Sequence, residues 1–259
     1  MKKIMMFFLM AFSCSVWAGE YEDAHTALNK ENYEEALRLF KAAGEKGHAH
    51  ALFNVGSMYD NGEGVKQDYA AALYWYKKAA ALGDADAQYS IGLMYDNGEG
   101  VEQDYLEALR WYKKAAAQGD SDSQYNIGYL YRHGQGVQQD LAEAFRWFEM
   151  AAKQGDADAE SMVGYLYHNG LGVTKNYKEA LYWLMKAAKQ GDMIAPFNIG
   201  VMHRSGHGVP KSNVRAYMWF SLVAHQDKDA AENIETLAKK MTAKQIAEAQ
   251  RLAKEWIER

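Results

Sequence analysis

Residues Asp60–Tyr69 read DNGEGVKQDY, and residues Asp96–Tyr105 read DNGEGVEQDY. Two glycines one residue apart, flanked by acids, suit a phosphate cradle, a calcium loop or a turn between helices. The stretch belongs to a longer pattern. Gly56, Gly92, Gly128, Gly164 and Gly200 are spaced by 36 residues. Trp75, Trp111, Trp147, Trp183 and Trp219 keep the same spacing and are five of the seven tryptophans. The glycine pair recurs as Gly62/Gly64, Gly98/Gly100, Gly134/Gly136, Gly170/Gly172 and Gly206/Gly208, while Gly83, Gly119, Gly155 and Gly191 close the repeats. Five copies run without an insertion from His48 to Asp227, and a period of this length marks an array of supersecondary units.

Each copy holds two stretches of helical periodicity. In the second copy, AQYSIGLMYDNG places Tyr89, Ile91, Gly92, Met94 and Tyr95 at helical spacing. YLEALRWYKKAAAQG then puts Leu106, Leu109, Trp111, Tyr112, Ala115 and Ala116 on one apolar face, with Glu107, Arg110, Lys113 and Lys114 opposite. One such hairpin cannot cover its own apolar face, but stacked neighbours can, so the fold class expected is all-α, a right-handed α-solenoid. Glycine inside each first helix costs about 1 kcal/mol relative to alanine. Its return in five copies points to a helix–helix approach too close for a side chain.

The internal copies decide the chemistry of DNGEG. A phosphate-binding loop of the Walker type needs lysine directly after its last glycine, and the chain has no Gly-Lys pair. Calcium needs oxygen ligands at fixed positions. The position of Asp60 becomes Asp96, Arg132, His168 and Arg204 in later copies; that of Glu63 becomes Glu99, Gln135, Leu171 and His207. The glycines and the following valine persist while the ligand candidates change, so backbone geometry is what repeats. A turn is expected in all five copies, with a weak cation site as the alternative at the first two.

Other chemistry is absent from the pattern. No serine has a lysine three residues later, and no His-Glu-x-x-His occurs. His203 and His207 are four apart but straddle a predicted helix end with no third ligand, and His48 and His50 flank a repeat junction without a motif. No catalytic residue, metal ligand or cofactor is therefore assigned. The tryptophan column is expected to pack between repeats rather than stack on carbohydrate, and Lys77/Lys78 and Lys113/Lys114 to lie on solvated surface.

The first 18 residues, MKKIMMFFLMAFSCSVWA, run from two lysines through an apolar segment to small residues at Val16 and Ala18. That order is expected of a secretory signal cleaved before Gly19, a buried N-terminal helix being the alternative. Removing 18 of 259 residues leaves 241, and losing Lys2 and Lys3 takes the net charge from −5 to −7. A moderately acidic chain suggests neither nucleic acid nor an anionic membrane as partner, and no later segment is long and apolar enough to span a bilayer. Cys14, the single cysteine, lies in the signal, so the mature chain has no disulfide; lipidation at Cys14 is the competing use. The expected destination is the periplasm, with secretion or outer-membrane attachment as alternatives. The expected domain order is signal 1–18, N-terminal capping hairpin 19–47 lacking the Gly-x-Gly loop, repeats 48–227, and C-terminal capping helices 228–259, where Thr242 and Gln245 have capping-box spacing.

The pattern A-x-A-Q-Y-x-I-G-x-M-Y-x-x-G-x-G-V-x-x-D followed by A-x-x-W-Y-x-K-A-A-x-x-G-D resembles the Sel1-like repeat, a relative of the tetratricopeptide repeat, over roughly 180 residues. The resemblance implies paired antiparallel helices around a concave groove that serves protein–protein contact, in exported bacterial members tied to envelope regulation or host contact. A cysteine-rich branch that binds or slowly hydrolyses β-lactams supplies the alternative, a cell-wall or β-lactam-binding protein, but it relies on disulfides missing here. The resemblance also implies that first helices line the groove. The residues three before the repeated glycine are Phe53, Tyr89, Tyr125, Ser161 and Phe197; one after it are Ser57, Leu93, Tyr129, Tyr165 and Val201; four after it are Asp60, Asp96, Arg132, His168 and Arg204. The groove candidates are thus Tyr129, Arg132, Tyr165 and His168 at the centre, with Leu93, Asp96, Tyr89, Tyr125, Arg204 and Asp60 around them. For the column of Tyr89 and Tyr125, packing between adjacent first helices remains open. The expected partner of a monomeric chain is a peptide or extended protein segment.

Overall fold

The computed structural model describes residues 19–258, so the expected signal and Cys14 lie outside the described residues. Among these, α1 (19–29) and α2 (Tyr33–Glu45) precede five helix pairs. The pairs are α3 (Ala49–Asn61) with α4 (Tyr69–Ala81), α5 (Ala85–Asn97) with α6 (Tyr105–Ala116), α7 (Ser121–His133) with α8 (Leu141–Lys153), α9 (Ala157–Asn169) with α10 (Tyr177–Lys189), and α11 (Ala195–Ser205) with α12 (Asn213–Ser221). Two further helices, α13 (Lys228–Ala238) and α14 (Ala243–Ile257), follow, and the described residues contain no strand. The class is the all-α solenoid that the period implies. Cα packing separates two compact units: one up to Ser123 with Gln135–Val137, the other Gln124–Gly134 with Gln138 onward.

The helix starts follow from side-chain chemistry. Asp68, Asp104, Asp140, Asn176 and Ser212 cap the second helices, and Asp84, Asp156 and His48 cap first helices, each accepting a hydrogen bond from a backbone N–H of the first turn. The aspartate of each QDY stretch is therefore a helix cap. The expected capping box at Thr242 and Gln245 is formed at the start of α14.

In each pair the repeated glycine lies against one ring or branched side chain of the second helix. A Cβ built on Gly92 would sit 2.5 Å from the Tyr112 ring, and one on Gly56 2.5 Å from Tyr76. Gly128, Gly164 and Gly200 meet Phe148, Leu184 and Phe220 in the same way. These partners directly follow the repeated tryptophans and are at most 2 % exposed. The deepest position is thus the residue after the tryptophan. Trp75 and Trp111 are half-buried at the edge of the core, with Lys78 Nζ 4.6 Å and Lys114 Nζ 3.3 Å from their ring centroids. Lys78 and Lys114 are exposed, as expected of solvated surface, and their ammonium groups also lie over indole faces. Leu106, expected on the buried face, is exposed because it sits in the first turn of α6 beside the Asp104 cap.

The two loop glycines have different tasks. Gly98 closes α5 in the left-handed region at φ 77°, its N–H bonding to the Met94 carbonyl. Gly100, at φ 70°, lies against the start of the preceding repeat's second helix: a Cβ there would be 2.8 Å from the carbonyl carbon of Tyr69. The Gln103 side chain donates to the Asp96 carbonyl at 2.6 Å and the Asp104 N–H to the Tyr95 carbonyl at 2.9 Å, closing the loop.

These two kinds of glycine separate experimentally. Gly83 has φ 91° and open space around its Cβ position, so Gly83→Ala should cost only the left-handed backbone term, about 1–2 kcal/mol. Gly100→Ala should cost about 1–3 kcal/mol more from overpacking. Equal losses in denaturant melts would refute the contact assigned to Gly100.

Candidate functional site

The three columns on the first helices have distinct surroundings. The column three before the glycine packs within its own repeat. Phe53 lies on Tyr76 (ring centroids 5.5 Å apart), Tyr89 on Tyr112 (6.0 Å), Tyr125 on Phe148 (5.3 Å) and Phe197 on Phe220 (5.5 Å). Tyr89 and Tyr125 therefore back the core ring of their own second helix and are half-buried. Ser161, in the same column, is buried.

The column four after the glycine splits by charge, and the core explains the split. Asp60 accepts a hydrogen bond from the Tyr76 hydroxyl at 3.0 Å, and Asp96 from the Tyr112 hydroxyl at 2.9 Å. Burial raises both carboxyls above the usual aspartate value, the tyrosine bonds only partly opposing it. Where the core residue loses its hydroxyl, as Phe148, Leu184 and Phe220, the partner position is Arg132, His168 and Arg204. The acids at the N-terminal end of the ladder thus serve a buried phenol. The bases reach onward instead: Arg132 to Met162 Sδ at 2.9 Å and to the Tyr165 ring at 5.3 Å, His168 Nε2 to His207 Nδ1 at 3.0 Å, and Arg204 to the Asn233 side chain. Burial, then the neighbouring His207, hold His168 below the ordinary histidine value.

The column one after the glycine is the most open. Tyr129 is 41 % exposed and lies 4.2 Å from the His133 ring, centroid to centroid. Leu93 and Tyr165 are half-buried. Within the second unit, Tyr129 and Arg132 lie on α7 and Tyr165 and His168 on α9, with Arg132 bridging to the Tyr165 ring. Arg132 makes no ion pair with a carboxylate among the described residues.

One cluster escaped sequence reasoning. His50 Nδ1 lies 3.0 Å from Asp84 Oδ2 and 3.4 Å from Asp86 Oδ2, and these donor atoms are close enough together to share a divalent cation. The other Asp84 oxygen caps α5 through the Ala87 N–H at 2.8 Å. The hydrogen bond to Asp84 raises His50 above the ordinary histidine value. Burial alone would raise Asp84, but the bonds from His50 and Ala87 outweigh it and hold the carboxyl low. Asp84 and Asp86 repeat as Asp120/Asp122 and Asp156/Asp158, so their spacing was visible; the histidine 34 residues earlier was not linked to them.

A family model described as the Sel1 repeat matches residues 27–48, 49–84, 85–120, 121–156, 157–192 and 195–228. This chain belongs to the Sel1-repeat family. The matched segment 27–48 adds a partial repeat within the N-terminal hairpin that the missing Gly-x-Gly loop had set apart. Among solved structures, c5321, described as a protective antigen present in uropathogenic Escherichia coli strains displaying an SLR fold, is similar at 31% identity and TM-score 0.83. The similarity covers 97% of this chain and 56% of that one, so the Sel1-repeat chain spans little more than half its relative's length. A Sel1 repeat protein from Oxalobacter formigenes is similar at 31% identity and TM-score 0.75, covering 80% of this chain and 85% of that one. No match was found among curated proteins. Sel1 repeats commonly mediate protein–protein interaction and are generally non-enzymatic.

The His50 cluster makes a pH-dependent contribution in these Sel1 repeats. Because the folded histidine value is raised, the contribution is complete below the unfolded value of about 6.5 and lost as pH rises through the folded one. His50→Gln should therefore lower the melting temperature at about pH 6 and leave it unchanged near about pH 9. An equal loss at both pH values would contradict the ion pair.

Proposed function

We propose that these Sel1 repeats form an exported, non-enzymatic scaffold that binds an extended segment of another protein across α7 and α9. The observation that carries this is the Arg132 guanidinium stacked 5.3 Å from the Tyr165 ring, beside the exposed Tyr129. Tyrosine offers a rigid apolar ring with a polar tip, and an arginine without a carboxylate partner is suited to an acidic side chain of the bound segment. The hydroxyl-free core at Phe148 and Leu184 supports the same proposal, since it leaves residues 132 and 168 with no core phenol to hold and they turn to the neighbouring repeat. Export is supported by the residue order of the first 18 positions. Similarity to a protein described as a protective antigen is consistent with a chain met outside the cytoplasm.

The double substitution Tyr129→Ala and Tyr165→Ala should weaken capture of the partner from native envelope or culture medium by at least about tenfold, some 1.4 kcal/mol. Arg132→Glu should do the same, with helical circular dichroism unchanged. The exposed Tyr74 and Tyr182 of the second helices provide the control: changing both to Ala should leave capture intact. Undiminished binding by the Tyr129/Tyr165 variant would refute the assigned face. Mass spectrometry of the chain recovered from the periplasm should give an N-terminus at Gly19, and an intact N-terminus there would refute the export signal.

A further inference from the structure

The last repeat departs from the others at one junction. The position occupied by Tyr59, Tyr95, Tyr131 and Tyr167 in four copies is His203 in the fifth. Within their own units, Tyr59 and Tyr167 reach the preceding helix: Tyr59 accepts from Lys41 Nζ at 3.2 Å, and Tyr167 packs edge-on against Phe145 with centroids 5.1 Å apart. The smaller imidazole, facing Leu181 and Met185 rather than Phe145 and Glu149, leaves a cavity of about 570 Å³ lined by Leu181, Met185, His203, Val209, Arg215 and Trp219. An adjoining cavity of about 340 Å³ shares Met185, Arg215 and Trp219 and extends to Trp256. The first volume falls in the range of small-molecule sites.

Among the polar residues that line this space, His203 and Arg215 stand out from Ser212, whose hydroxyl caps α12. His203 is 7 % exposed, and its Nδ1 is buried without a hydrogen-bond partner. Burial holds the ring below the ordinary histidine value and favours the neutral imidazole, whose Nδ1 accepts or donates according to tautomer. A buried polar nitrogen left unsatisfied is costly, so the site favours a hydroxyl, which pairs with either tautomer. Arg215, exposed at the rim, replaces the glutamates Glu107, Glu143 and Glu179 of earlier repeats and makes no ion pair with a carboxylate among the described residues. Arg215 thus places a cation at the rim, while Glu255, which also lines the adjoining cavity, is paired with Arg251.

We propose that this cavity binds a small aromatic carboxylate: the ring lies against Trp219 and Met185, the carboxylate meets Arg215, and a hydroxyl pairs with His203 Nδ1. Aromatic and sulfur contacts suit the ring, and the arginine fork suits the carboxylate. The site is separate from the α7–α9 face and stands whether or not that face binds protein.

4-Hydroxyphenylacetate carries all three features and is the probe. Calorimetry on the intact mature chain should show saturable one-site binding. Phenylacetate, which lacks the donor, and 2-(4-hydroxyphenyl)ethanol, which lacks the carboxylate, should each bind at least tenfold more weakly. His203→Tyr installs the residue of the other four repeats, so it should fold with an equal or higher melting temperature and lose binding. Arg215→Glu should lose binding as well. In the wild type, the His203 Nδ1 resonance should move on addition of 4-hydroxyphenylacetate and much less with phenylacetate. No saturable binding, which is the result if the cavity holds water only, would overturn the proposal, as would wild-type affinity in His203→Tyr.

Discussion

The contact between a glycine in each first helix and a ring or leucine in the second sets the geometry of every repeat. With Cβ positions 2.5–2.9 Å from the facing side chain, alanine at any of these five sites would overlap atoms already in place. The glycine's intrinsic helix penalty is offset by burial of a complete large side chain against bare backbone, worth roughly 1.5–3 kcal/mol for such residues. Other regularities follow from this spacing. The second loop glycine brings each pair against the previous one, and glutamine pairs tie first helices to the ends of their second helices, as in Gln118 to Gln88 at 3.0 Å and Gln154 to Gln124 at 2.9 Å.

A frame fixed by small residues and caps leaves other positions free to vary. The acids of DNGEGVKQDY illustrate the division. Asp68 caps a helix and Asp60 holds a phenol, so both acids serve the frame itself. Once the phenol is gone, position 132 carries an arginine that rides on a neighbouring tyrosine. Surface chemistry in the second unit is in this sense a consequence of a core substitution. The same logic applies at His203, where a histidine in place of the tyrosine of the other repeats borders a cavity and leaves a buried ring nitrogen unpaired.

Much of the fold was legible in the sequence because it rests on residue types with few alternatives. Period, helix pairs, loop turns and the tight glycine approach all came from glycine and tryptophan spacing. The burial order within the second helix was less legible. Tryptophan drew attention by rarity, yet the deepest position is the variable Tyr, Phe or Leu after it, since a core site tolerates several large shapes. Asp60 and Asp96 were legible as a column but not as tyrosine partners, although the loss of acid wherever Tyr becomes Phe or Leu was present in the text. The His50 cluster depends on side chains 34 and 36 residues apart meeting across a repeat junction, which periodicity alone does not reveal. Leu106 misled because apolar character in a first turn does not by itself specify the buried face.

The glycine–ring contact is tested most directly by a double-mutant cycle between Gly92 and Tyr112, read by chemical denaturation. Gly92→Ala alone should destabilise by about 1–3 kcal/mol through overpacking, and Tyr112→Ala alone by about 3–5 kcal/mol through the cavity it leaves. In the double variant the added methyl enters that cavity, so the combined loss should fall short of the sum by at least about 1 kcal/mol. Strict additivity would show that the two positions do not constrain each other, and would contradict the proposed basis of the repeat.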